Sequence, residues 1–199
     1  MKVPILNVLN KKEHQLVKGF QIEKNRIINH EGDVCENIGI VVSGKVEIVS
    51  YSFEGKEILI NSLKAGEIFG NNLIFSSEPI YRGDVIAKEK CVIAFINKEN
   101  LLFLLQNNKD FLSLYLKAQS DFGKSLNARI QLLSFNNAED RLFYYASKTD
   151  HVIEYKNVTS LASILGVQRE TLSRLLTDLT HRHLIKKEKT KIIVLKKKH

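Results

Sequence analysis

Apolar residues recur along this chain with two different periods, and the places where the period changes mark its parts. Over 4–18, Ile5, Leu6, Val8, Leu9, Leu16 and Val17 could cover one side of a short amphipathic helix. From about Gly19 to Ile96 the pattern is short and alternating. It predicts strands at 26–29, 38–42, 45–51, 57–63 and 92–96. Turn residues punctuate them at Glu31-Gly32-Asp33, Ser43-Gly44-Lys45, Glu54-Gly55-Lys56 and Ala65-Gly66-Glu67. Short strands at this spacing mean an antiparallel sandwich or barrel with a core of its own.

The helical period then returns. It predicts one helix over 97–106 and a long one over 108–135. Along the long helix Leu112, Leu116, Gln119, Gly123, Leu126, Ile130 and Leu133 keep a 4-3 spacing, and Phe111, Tyr115, Ala118 and Phe122 widen the stripe. That face is too broad for one helix-on-barrel contact. A second copy of the helix is the simplest cover, which predicts a parallel two-fold homodimer through Leu112, Tyr115, Leu116, Gln119, Phe122, Gly123, Leu126 and Ile130. A mid-helix Gly costs about 1 kcal/mol, so Gly123 is expected to allow close helix approach or leave room for a ligand.

The segment 135–138 breaks the helix, with Asn137 as N-cap and Asp140 three residues on. The expected division is 1–107, 108–135 and 136–199. In the last part a helix over 139–147 and a strand over 152–155 precede two helices joined at Gly166-Val167. The second of these opens near Gln168 and runs to about Arg182, with Leu172, Leu175, Leu176 and Leu179 on its buried stripe. Arg169, Glu170, Ser173 and Arg174 share another face near its N-terminus. A helix-turn-helix presents that region to the DNA major groove. There Arg forks onto guanine, Glu accepts from cytosine and Ser adapts to either. A solvated Arg–Glu face is the plainer alternative. Segments 184–187 and 192–195 predict a hairpin around Lys189-Thr190-Lys191, a basic wing for phosphates. Thr159 and Gln168 complete the expected DNA contacts, and Lys196–Lys198 are expected to be solvated and frayed.

Charge sharpens this picture. Net charge is +8. Residues 136–199 hold 13 basic and 7 acidic side chains, against 17 and 15 in the rest. The excess therefore sits with the helix-turn-helix and favours a polyanion, double-stranded DNA above all. No aromatic stacking platform accompanies it, which weakens an RNA reading. Hydrophobic content of 44% is ordinary for a globular chain. No apolar run is long enough for a membrane span, and no secretory signal opens the chain. Cys35 and Cys91 are far apart and fit a reducing cytosol, so a cytoplasmic protein is expected. A metal enzyme on such a barrel needs clustered His and carboxylate ligands. The barrel has only His30, and His181-Arg182-His183 would diverge on a helix. No catalytic residue and no metal ligand is assigned.

Three stretches carry a family resemblance: GVQRETLSRLL at 166–176, GEIFG at 66–70 and SGKVEIV at 43–49. With the order barrel, long helix, winged helix-turn-helix, the chain resembles the cyclic-AMP receptor protein / fumarate-nitrate regulator (Crp/Fnr) family of bacterial transcription factors over nearly its whole length. The resemblance implies an α+β chain: a cyclic-nucleotide-binding-like β-barrel (jelly roll), a long dimerisation helix and a C-terminal winged helix-turn-helix. It implies base contacts by Arg169, Glu170 and Arg174, with Ser173 matching the oxygen-responsive branch. Half-sites would be TGTGA-like or TTGA-like, and RNA polymerase would be a partner. It implies an effector pocket near Phe69, Asn71, Asn72, Tyr81, Arg82, Leu126 and Asn127. In cyclic-AMP-binding members a Glu that holds the ribose follows GEIFG; here Asn71 stands there. The phosphate-binding Arg-Ser pair falls on Tyr81-Arg82, and the adenine-facing Thr-Ser pair on Leu126-Asn127. Both departures argue against cyclic AMP. Two distant Cys residues cannot supply the four ligands of an iron–sulfur cluster. A haem-bound, gas-responsive member would need an axial ligand such as His14, His30 or Cys35. A small-ligand-binding module with general nucleic-acid affinity is the other alternative.

Overall fold

Asn10 decides the shape of the N-terminal segment. Its Oδ1 accepts from the backbone N–H groups of Lys12 (2.9 Å) and Glu13 (3.0 Å). Glu13 Oε2 accepts in return from Asn10 N at 2.9 Å. Such local pairing competes with a continuing helix. The helix expected over 4–18 is therefore replaced by α1 (Pro4–Asn7), a 3-10 turn at Glu13–Leu16, and extended backbone from Val17.

The computed structural model describes residues 3–55 and 57–195. Lys56 and the Lys196–Lys198 run lie outside the described residues. The chain divides into two compact units, Met1–Phe122 and Gly123–His199. The long helix, set apart in the sequence as 108–135, contributes to both.

The first unit is built on eight strands: β1 (Lys18–Ile22), β2 (Ile27–Asn29), β3 (Asn37–Ser43), β4 (Lys45–Tyr51), β5 (Glu57–Lys64), β6 (Ile68–Phe69), β7 (Asp84–Ala87) and β8 (Cys91–Asn97). They form two antiparallel four-stranded sheets, ordered β1-β8-β3-β6 and β2-β7-β4-β5. Ile38 and Ile40 of β3, Val46 of β4, Val85 of β7, and Ile93 and Ile96 of β8 fill a shared core. Gly44 turns β3 into β4 at φ +88°, where a Cβ would stand 2.7 Å from the Lys90 carbonyl oxygen. Only glycine fits both demands.

Helix α2 (Lys98–Asn107) is N-capped by Asn97 and buries Leu101 and Leu104 in the same core. The long helix α3 (Lys109–Leu133) follows at once. Asn108 caps it through Phe111 N (2.9 Å) and donates to Val8 O (3.0 Å) and Glu13 Oε2 (2.9 Å). One amide thus ties the N-terminal segment to the start of α3.

The second unit contains α4 (Ala138–Ser147), β9 (Val152–Glu154), α5 (Val158–Leu165), α6 (Arg169–His181), β10 (Ile185–Lys187) and β11 (Lys191–Val194). Its sheet has the order β10-β11-β9. Asn137 caps α4 by accepting from Asp140 N at 2.7 Å, as expected. Leu142, Ile153, Leu161, Leu165, Leu172, Leu176, Leu179, Ile185 and Ile192 form its core. The wing strands are shifted inward by one residue at Leu184 and Leu195, because Ile185 pairs with Val194. No helix among the described residues is long and apolar enough to cross a membrane.

Candidate nucleic-acid interface

Helix α5 begins with a reciprocal cap. Asn157 Oδ1 accepts from Ser160 N (2.8 Å), and Ser160 Oγ accepts from Asn157 N (3.3 Å). The helix ends at Gly166, whose left-handed φ of +63° turns the chain into α6. A Cβ on Gly166 would lie 2.5 Å from Leu133 Cδ2, so the turn also needs a bare backbone there.

Buried Leu172, Leu176 and Leu179 fix the roll of α6 about its own axis. That roll leaves Arg169, Glu170, Ser173 and Arg174 exposed together. Arg169 Nη1 lies 3.8 Å from Glu170 Oε1, with both side chains 65% exposed. An exposed pair at that distance is worth little and yields to a better partner. Ser173 and Arg174 also line, with Thr177, Asp178 and His181, an open depression of about 550 Å³. Thr177 was not among the sequence candidates; its spacing of one turn from Ser173 was the available signal. Gln168 is the exposed N-cap of α6, and Thr159 is exposed on α5. At the far end, Arg182 Nη1 meets Glu139 (3.1 Å) and Asp178 (3.0 Å), pinning α6 to the start of α4. On the wing, Lys189 is exposed at the turn and Lys191, half-buried, pairs across to Glu154 of β9.

Two side chains that no local pattern singles out hold this arrangement. Arg129 of α3 donates to the carbonyls of Ile164 (2.8 Å) and Ser163 (3.0 Å). Arg141 of α4 donates to Leu165 and Gly166 (3.1 Å each), to Phe135 (2.9 Å) and to Leu133 (3.3 Å). The last carbonyls of a helix have no partner within it, and guanidinium donors supply them here.

Of the residues expected around an effector, Phe69, Asn71, Asn72, Tyr81 and Arg82 belong to the first unit and Leu126 and Asn127 to the second. Phe69 is a core side chain beneath Gly39. Asn71 is 5% exposed. Its side-chain amide donates to Gln119 Oε1, while its carbonyl accepts from Gln119 Nε2 (2.9 Å) and Tyr115 OH (3.2 Å). Tyr81 is buried against Cys35, whose thiol also faces the carbonyls of Asn37 (3.4 Å) and Gly70 (3.5 Å). Burial pushes both the Tyr81 phenol and the Cys35 thiol above their usual ranges. Asn72 is exposed, and Arg82 is spent on an exposed pair with Glu78 at 2.6 Å. Leu126 and Asn127 are exposed in the second unit. These residues do not make an anion cradle for a cyclic phosphate. Of the considered haem ligands, His14 and His30 are exposed and Cys35 is buried. His181 closes α6 and His183 follows at φ +55°, and no group of three or more His, Cys, Asp or Glu among the described residues could hold a metal ion.

The dimer face needs a correction too. Tyr115 is buried in the first unit, stacked on Phe111, and Gln119 is bonded to Asn71, so neither is available to a second helix. The roll of α3 that buries Phe111 turns them inward. Leu112 and Phe122 are half-buried. Leu116, Leu126, Ile130 and Leu133 stay exposed. A Cβ on Gly123 would meet nothing within 4 Å.

Residues 20–108 match the model of the cyclic nucleotide-binding domain, and residues 144–199 match that of the Crp-like helix-turn-helix domain. The chain belongs to the Crp/Fnr family. It is a DNA-binding transcription regulator of that type. It is 25% identical over 176 residues to the cAMP-activated global transcriptional regulator CRP of Pasteurella multocida, covering 83% of this chain and 84% of that one. It is 23% identical over 189 residues to the anaerobic regulatory protein of Bacillus subtilis, covering 89% and 79%. A CooA mutant from Carboxydothermus hydrogenoformans shares the fold with a TM-score of 0.73 at 20% identity, over 98% of this chain and 92% of that one.

Proposed function

We propose that this Crp/Fnr protein is a homodimer that reads a two-fold DNA site through α6 without cyclic AMP as its signal. The observation that carries the reading is the exposed set Arg169, Glu170, Ser173 and Arg174, held on one face of a helix whose opposite face is fully packed. Arg169 and Arg174 fork onto guanines, Glu170 accepts from a cytosine amino group, and Ser173 adapts to its neighbour. Lys189 and Lys191 on the wing, with Thr159 and Gln168, hold the phosphate backbone and set the register. Two reading helices come from two copies that pair along the exposed Leu116, Leu126, Ile130 and Leu133. Two-fold protein symmetry then matches two half-sites about one helical turn apart.

Cyclic AMP is unsuited because Asn71 is already bonded, Tyr81 brings no charge and Arg82 points to Glu78. Any effector of this protein has a different chemistry. Contact with RNA polymerase follows from the family. The test is selection of duplexes from a random library by purified protein, with and without a small-molecule fraction of cell extract. A palindromic site enriched without the fraction supports a dimer competent by itself. Enrichment only with it assigns an effector. No enriched site in either case sinks the reading.

A further inference from the structure

The C-terminal end of α5 is where the helix-turn-helix bends, and its carbonyls are held by a guanidinium from outside the motif. Arg129 reaches Ser163 and Ile164 with two separate nitrogens, at 3.0 and 2.8 Å. Two backbone bonds close the same turn, from Gly166 N to Ser163 O (3.2 Å) and from Val167 N to Ala162 O (3.0 Å). Gln168, the N-cap of α6, is the next residue. The fork fixes orientation as well as distance, since a planar guanidinium meets two acceptors in one plane. The negative end of the α5 dipole adds attraction for the same charge.

Arg129 sits beside Ile130 in sequence and one turn from Leu126 and Leu133, the exposed apolar positions of α3. These two turns of α3 therefore carry two things: the clamp on the bend, and the seam to which a second copy is assigned. We infer that Arg129 is a positioning residue for DNA binding, which sets the separation of the two reading helices by fixing the α5–α6 bend to the dimer seam. It touches no base or phosphate in this role. The inference rests on the dimeric reading given above.

The experiment measures binding of the full-length protein to the two-fold site from the library selection, to the same half-sites moved apart by one and by two base pairs, and to a single half-site. Wild type, Arg129→Gln and Arg129→Lys are compared at several salt concentrations. Wild type is expected to prefer its own spacing. Arg129→Gln is expected to lose about tenfold on that spacing, the scale of a lost charge-assisted bond, with little change on the shifted sites and the single half-site. The salt slope stays as in wild type. Arg129→Lys, which keeps the charge but not the fork, recovers part of the preference, and it carries the comparison alone if the Gln variant does not fold. An equal loss on every site would mean a merely structural role and overturns the inference. So does a salt slope reduced by about one, which marks a phosphate contact. An unchanged preference in a folded variant overturns it while leaving the dimer intact. A wild type indifferent to spacing sinks the dimeric reading and this inference together.

Discussion

Asn71 and Gln119 close on each other. The Asn71 side-chain amide donates to Gln119 Oε1, and Gln119 Nε2 returns a bond to the Asn71 carbonyl at 2.9 Å. Tyr115 OH donates to the same carbonyl at 3.2 Å. The loop after β6 is thereby fastened to α3 by this chain's own side chains. Gln119→Ala leaves a buried amide without its partner, which costs about 1–3 kcal/mol. Urea unfolding followed by circular dichroism should show that loss. A ligand at about 100 times its Kd would stabilise the protein by about 2.7 kcal/mol, so millimolar cyclic AMP should leave the wild-type midpoint unmoved. A clear rise would mean that the Asn71 loop opens for it.

Tyr115 ties that fastening to pH. Burial pushes its phenol up to about 12, against about 10 in the unfolded chain. The folded pKa is the higher one, so its contribution to stability is full below pH 10 and is lost as pH climbs from there toward 12. Denaturant midpoints between pH 8 and 11 should fall at the alkaline end. Tyr115→Phe removes the group, is less stable at pH 8 because the bond to Asn71 is gone, and shows a shallower alkaline decline. Parallel curves for the two proteins would place the titration elsewhere.

The proposed DNA contacts divide by chemistry. Arg169→Ala and Arg174→Ala should each cost about 1–3 kcal/mol at the cognate site and relax the preferred base. Lys189→Ala and Lys191→Ala should weaken cognate and random duplexes alike, and each should lower the salt slope by about one. Titrations at 50 and 200 mM salt separate the two classes. Equal losses on cognate and random DNA from all four variants would count against base reading by α6.

What could be read from the sequence was what is local. The alternation in β3 and β4, the apolar stripe of α6 and the turn at Gly166 each occupy a few consecutive residues, so periodicity found them. Strand β1 carries no alternation to read, since four of its five residues are exposed, and β6 has only two residues. The helix expected over 4–18 stops short because Asn10 spends its side chain on the next turn of backbone. Arg129 and Arg141 left no trace, because their acceptors are backbone carbonyls, those in α5 and its turn 24–35 residues away, and any residue supplies a carbonyl. The exposed face of α6 follows from spacing, but the same reasoning leaves Tyr115, which is buried, on the open face of α3. Periodicity cannot tell which apolar residues of α3, such as Tyr115, the first unit's own core consumes.

Gly166 is the position where one methyl group should undo most of the interface. Its φ is +63°, a region that costs a non-glycine residue about 1–3 kcal/mol. The added Cβ would also press on Leu133 Cδ2 at 2.5 Å and stand 3.3 Å from Arg141 Nη1. Leu133 can rotate away, but Arg141 holds four carbonyls around this turn and cannot shift without releasing some of them. Gly166→Ala should therefore lower the melting temperature of the second unit and weaken cognate DNA binding more than binding to random duplex. The first effect follows from strain and the second from a tilted α6. Calorimetry of residues 1–199 and duplex titrations on the same preparation measure both. Unchanged melting with lost specificity would mean that the bend relaxes at no cost yet misaims the helix. Lost melting with specificity intact in the folded fraction would mean that the clamp restores the native bend whenever the unit folds.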